Sequence, residues 1–139
     1  MELTANAIQT VAAGANILFT DTVVAGGGSV IHRDGSGLVT LKGLTNQSRS
    51  RFKVSFGGNI AIPTGGTVEA ISLAISISGE PVATTTMIST PTAVEAFDNV
   101  FSSIFLDVPR GCCYQISVKN TSGQAIQIQN ANLIIERVA

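Results

Sequence analysis

The 139-residue sequence predicts an all-β, two-sheet antiparallel sandwich, and three observations carry that prediction. Apolar residues alternate with small or polar ones, which is the signature of half-buried strands. No stretch sustains a helical period. Turn-forming clusters rich in Gly, Pro, Asn and Asp punctuate the chain at spacings of roughly 8–15 residues, as in sandwiches and barrels.

The strands follow in order. A long first segment from Leu3 to Val24 contains a candidate strand over 17–24, and further strands are expected over 30–33 and 38–42. Phe52, Val54 and Phe56 alternate with Arg51, Lys53 and Ser55; Ile71, Leu73, Ile75 and Ile77 alternate with Ser72, Ala74, Ser76 and Ser78. Tyr114, Ile116 and Val118 alternate with Gln115, Ser117 and Lys119, and strands are also expected over 100–108 and 125–138. The stretch 84–96, rich in Thr and Ala, reads equally as an edge strand, a loop or a short helical turn. Asp34-Gly35 and Ser122-Gly123 are the expected tight hairpins. With no internal repeat or linker, residues 1–139 are expected to form one domain.

Two strands depart from simple alternation. In 100–108, Phe101 and Phe105 occupy the face opposite Val100, Ile104, Leu106 and Val108. In 125–138, Ile126, Ile128 and Ile134 fall on one phase and Leu133 and Ile135 on the other. A strand apolar on both faces must be covered on both, and a neighbouring subunit would cover the outer one. A β-bulge near Asn130-Ala131-Asn132 would instead switch the phase of the last strand.

Composition excludes several classes. Only 12% of residues are charged, against about 25% in an ordinary soluble domain. Ser, Thr, Asn and Gln together number 41 and stand in their place. A net charge of −1 with eight scattered Lys and Arg gives no footprint for nucleic acid or an anionic membrane. No apolar run approaches a membrane span, so no membrane insertion is expected. The opening Met-Glu-Leu-Thr-Ala-Asn lacks the basic and apolar regions of a signal peptide, so the expected location is a virion, or the cytoplasm before assembly. A spore or cell surface is the alternative.

The chemistry-bearing residues are sparse. His32, the only histidine, stands before a Gly turn and reads as a surface or interface residue; one His without a Cys-x-x-Cys pair gives a transition metal too few ligands. At a symmetric interface it would respond to pH. Cys112 and Cys113 are adjacent, so strand alternation sends them to opposite faces: one to pack, the other to stay free or bridge subunits. The carboxylates are isolated in sequence, with no calcium loop or glycosidase signature. Gly26-Gly27-Gly28 joins two strands and lacks the following helix of a phosphate cradle. Asn46 and Asn120 stand in Asn-x-Ser sequons. No catalytic constellation and no cofactor site is expected.

The order of these segments is familiar: Leu38-Val39-Thr40-Leu41-Lys42-Gly43, then 52–60 with Phe52-Lys53-Val54-Ser55-Phe56-Gly57-Gly58, then 70–75 with the Ser78-Gly79-Glu80-Pro81 hairpin, then 100–108 closing on Leu106-Asp107-Val108-Pro109, and Ile134-Ile135-Glu136-Arg137-Val138 last. It resembles the trimeric jelly roll of the tumour-necrosis-factor and complement-type globular heads, and in particular their small bacterial and prophage-encoded versions. The resemblance implies a single jelly-roll domain of about ten strands over residues 1–139 that assembles as a homotrimer, with Phe101, Phe105, Ile126, Ile128 and Ile134 at the contact between subunits. It implies a non-enzymatic structural or adhesion protein of a phage or prophage virion, such as a head decoration or a receptor-binding part, with other virion or surface proteins or a cell-surface glycan as further partners. A spore- or cell-surface binding module and a carbohydrate-binding jelly roll are the alternatives. Polarity and turn content nominate loops 26–29, 46–51 and 84–92 for ligands, with Gly27, Ser29, Asn46, Arg49, Thr86 and Ser89 as contacts.

Overall fold

A computed structural model of the chain describes residues 1–43, 48–111 and 113–139. The strands are β1 (Glu2–Ala5), β2 (Gln9–Val11), β3 (Asp21–Val24), β4 (Val30–His32), β5 (Val39–Lys42), β6 (Arg49–Ala61), β7 (Ile71–Ile77), β8 (Glu80–Pro81), β9 (Met87–Ser89), β10 (Asp98–Pro109), β11 (Cys113–Asn120) and β12 (Ile126–Arg137). They build two antiparallel sheets. The first has the order β3-β1-β12-β6-β10, with β2 also on β12; the second has the order β4-β5-β11-β7-β8, with β9 also on β7.

Alternation does what it predicts along β6: Phe52, Val54, Phe56 and Ile60 are fully buried between the sheets, while Arg51, Lys53 and Ser55 face outward, half-buried. Phe19 meets Phe56 edge-on at the centre, with ring centroids 6.4 Å apart. Burial of this continuous apolar layer is the main driving force for the sandwich.

Two expectations are corrected. Residues 17–24 form a regular strand only from Asp21, because the preceding residues cross between the sheets. The Ile17 amide donates to Val118 O in the second sheet, and the Thr20 amide donates to Thr4 O in the first. Ser122-Gly123 makes no hairpin, since β11 and β12 lie in different sheets. The Ser78-Gly79 hairpin forms as expected between β7 and β8, with φ of 51° and 87°, the doubly positive geometry that matches strand twist.

The undecided stretch 84–96 opens within a 3₁₀ turn at Ala83–Thr85 and then carries β9. It completes the edge of β7 between β8 and β9. There the Thr85 hydroxyl accepts the Ile75 amide at 2.9 Å, and the Val82 amide donates to Ile75 O at 2.9 Å. A side chain stands in for a missing strand, a device that periodicity does not announce.

The last strand carries the bulge. Asn130 has φ 55°, and the β6–β12 register slips between Gln129 and Asn132. Ile126 and Ile128 point into the core before it, and Ala131, Leu133 and Ile135 do so after it. The strand therefore buries one face only.

Candidate functional site

On β10 no bulge intervenes. Val100, Leu106 and Val108 face inward, and Phe101 and Phe105 stand outward with 65% and 61% of their surface exposed. Strand β10 is also one edge of the first sheet, twelve residues long and, among the described residues, paired only with β6. Exposed aromatic rings on a long edge strand are a template for association.

Register lays out the face that these rings share. Phe105, Lys53 and Glu136 form one row; Ser103, Ser55, Ile134, Glu2 and Val24 form the next; Phe101, Gly57, Asn132 and Thr4 form the third. Ile134 is 40% and Val24 55% exposed, so apolar surface recurs at the far side of the same face. Between them the face is polar: Ser55 and Ser103 hydroxyls lie 2.9 Å apart, and Asn132 donates to the Glu2 carboxylate.

Below Phe105 the strand end is fixed electrostatically. Arg51 makes a two-pronged contact with Asp107, Nε to Oδ1 at 2.9 Å and an Nη2 hydrogen bond to Oδ2 at 3.2 Å. Arg49 adds a longer ion pair at 3.5 Å. The hydrogen bond from Arg51 holds the Asp107 carboxyl below the usual carboxylate range, and the same contact pushes the Arg51 guanidinium up. The pairing of Asp107 with Arg51 was not read from the sequence. Their signal was a matching outward phase on two strands whose pairing is non-local.

The nominated interface residues divide. Phe101, Phe105 and Ile134 are on the outer face. Ile126 and Ile128 are a correction: both have no exposed surface within a single chain and so cannot touch a neighbour. The bulge at Asn130 explains the difference, since the shared phase of Ile126, Ile128 and Ile134 is broken between them.

The nominated ligand loops do not converge either. Gly27 and Ser29 line a groove of about 750 Å³ with Met1, Lys42, Ile135 and Arg137. Arg49 pairs with Pro109 at the end of β10, whereas Ser89 reaches Asp98 at its start, so the two sites lie roughly 35 Å apart along the strand. Ser89 is corrected as a ligand contact: it is buried, and its hydroxyl donates to Asp98 at 2.7 Å. Thr86 is exposed beside the 3₁₀ turn. Asn46 lies outside the described residues.

His32 is corrected as well. Its side chain has no exposed surface and sits between Thr22 and the Ser36 carbonyl. Thr22 gives its hydroxyl proton to Asp34, not to the imidazole, so the trio does not form an activated nucleophile. Cys113 is exposed with a free thiol, and Cys112 lies outside the described residues. The Asn120 sequon is occluded: its side chain is buried and donates to Val11, Ala12 and Gln124 carbonyls. Among the described residues no three His, Cys, Asp or Glu side chains gather as a metal site, and no helix is long and apolar enough to cross a membrane.

No family model and no curated protein sequence matches the chain. Solved structures do. The globular domain of zebrafish complement 1qA superposes with a TM-score of 0.59 at 12% identity, covering 96% of this chain and 93% of that one. Murine APRIL superposes with a TM-score of 0.55 at 10% identity, covering 91% and 95%. At such identities the likeness speaks for the fold, and the two six-stranded sheets described above have the same architecture. The chain is a jelly roll of the tumour-necrosis-factor and complement-head type.

Proposed function

We propose that this protein is a non-enzymatic binding and scaffolding domain that works as a homotrimer, with the Phe101–Phe105 edge of each chain seated on the first sheet of the next. The observation that carries this reading is the exposure of two phenylalanines, at 65% and 61%, on an edge strand of a sandwich whose own core is already closed. A closed ring joins two different patches of the same chain, and the face offers both: the rings on β10, and the Ile134–Val24 side on β12 and β3. Low charge supports the same reading, because burying surface in a trimer reduces the solubilising charge that each chain must carry.

The finer reading is a component of a phage or prophage virion. It rests on the resemblance to small prophage-encoded heads and on the suitability of a rigid, weakly charged trimer for symmetric assembly. Three copies of the groove beside residues 26–29 would then be presented together, so that a weak single contact gains by avidity. Measuring mass in solution for the wild type and for Phe101→Ser/Phe105→Ser tests the trimer. A trimer that falls to monomer in the variant supports it, and a wild-type monomer contradicts it.

A further inference from the structure

His32 closes β4 at the edge of the second sheet, and Thr22 lies on β3 at the edge of the first. Their contact spans the open side of the sandwich. Three distances define it: His32 Nδ1 to Thr22 Oγ1 at 3.2 Å, Thr22 Oγ1 to Asp34 Oδ1 at 2.7 Å, and His32 Nε2 to Ser36 O at 3.0 Å.

The protons in this chain can be counted. The Asp34 carboxylate is 64% exposed and, when ionised, only accepts, so the single hydroxyl proton of Thr22 goes to it. The Ser36 carbonyl also only accepts, so Nε2 must carry a hydrogen. The Thr22 oxygen then has only lone pairs to offer Nδ1, which must carry a hydrogen too. A neutral imidazole has one N–H and leaves one contact unmade; the imidazolium makes all three. Asp34 Oδ1, 3.8 Å from Nδ1, supplies the opposing charge. The other charged residues on the surrounding elements are Asp21, whose carboxylate takes the Thr20 hydroxyl at 3.2 Å, Glu2 on β1, whose carboxylate takes the Asn132 amide, the exposed Arg33, and Lys42, three residues beyond the Val39 that pairs with His32.

We propose that a proton on His32 clasps the edge of the sandwich, and that its departure frees β3, β4 and the glycine loop between them. The inference is independent of assembly, since every group belongs to one chain. It bears on the groove because residues 25–30 form one of its walls.

The test is amide exchange across residues 25–32, referred to the intrinsic rate at each pH, together with imidazole ¹H–¹⁵N correlation between pH 5 and 8, where histidine changes charge. In the wild type both ring nitrogens carry protons at the acid end. Protection falls about tenfold as the second proton leaves, the loss expected for one charged hydrogen bond. In Asp34→Asn the amide can donate to Thr22, whose own proton then turns to Nδ1, so a neutral imidazole suffices and the pH response disappears. Thr22→Val removes the acceptor facing Nδ1 and abolishes the response by a second route. A wild-type imidazole with one proton and unchanged loop protection across this range overturns the proposal, as does an undiminished response in both variants.

Discussion

Phe101 lies across Gly57 on the neighbouring strand, its Cδ2 3.6 Å from where a Cβ on Gly57 would stand. The glycine gives the ring a flat seat on the sheet and leaves its upper face bare. A larger residue at 57 would tilt that ring. Gly57→Val is therefore expected to weaken self-association while leaving the core intact, read as a shift of the concentration at which the assembly dissociates. An unchanged dissociation midpoint would show that the pose of the ring is irrelevant to assembly.

Phe105→Ala removes a side chain that is 61% exposed in the single chain. Its effect on folding of the isolated chain is expected to stay within about 0.5 kcal/mol, as for ordinary surface changes. Its effect on assembly is expected to reach about 2 kcal/mol per contact, the range of an aromatic anchor. Denaturation of dilute samples and sedimentation of concentrated ones separate the two effects.

Ile128→Ala is the converse. Ile128 is fully buried between the sheets, so its truncation should cost about 2–5 kcal/mol of folding stability. Chemical denaturation measures this directly; a loss below about 0.5 kcal/mol would contradict the inward orientation that the Asn130 bulge imposes.

Asn120 ties three parts of the chain together. Its Nδ2 reaches the Val11 and Gln124 carbonyls at 3.0 and 2.9 Å, and its Oδ1 accepts the Ser122 amide at 2.9 Å. Asn120→Ala leaves buried backbone groups without partners and should cost about 1–3 kcal/mol for each one left unpaired. Retained wild-type stability in thermal melts would contradict the buried hub.

The acid response follows from Asp107. Its carboxyl is held below its ordinary value, first by the hydrogen bond from Arg51, so the folded chain favours the ionised form. That contribution is complete above the unfolded value of about 4 and is lost as pH falls through the lower folded value. Asp107→Asn should flatten this part of the acid denaturation profile. An identical profile in the variant would show that the pair adds nothing, the usual outcome for exposed ion pairs.

The sandwich was legible because its strands obey a period of two wherever one face is buried: Phe52, Val54 and Phe56 declare both the strand and its inner side. Phe101 and Phe105 were legible by the same rule read in reverse, as apolar residues on the wrong phase. What remained hidden depends on partners distant in sequence. The inward turn of Ile126 and Ile128 rests on one residue with positive φ at Asn130, and a bulge and a doubly buried strand give the same pattern of letters. Ser89 looked like a loop hydroxyl until Asp98 was placed beside it. His32 looked like a surface residue because Thr22 and Asp34, which enclose it, come from a different strand and from the following turn.

The central claim is that the phenylalanine edge is covered by a second copy of the chain. Light scattering on the purified wild-type protein at micromolar concentration tests it most directly. The account predicts a single species of three times 14.3 kDa, and a clean 14.3 kDa monomer would contradict it.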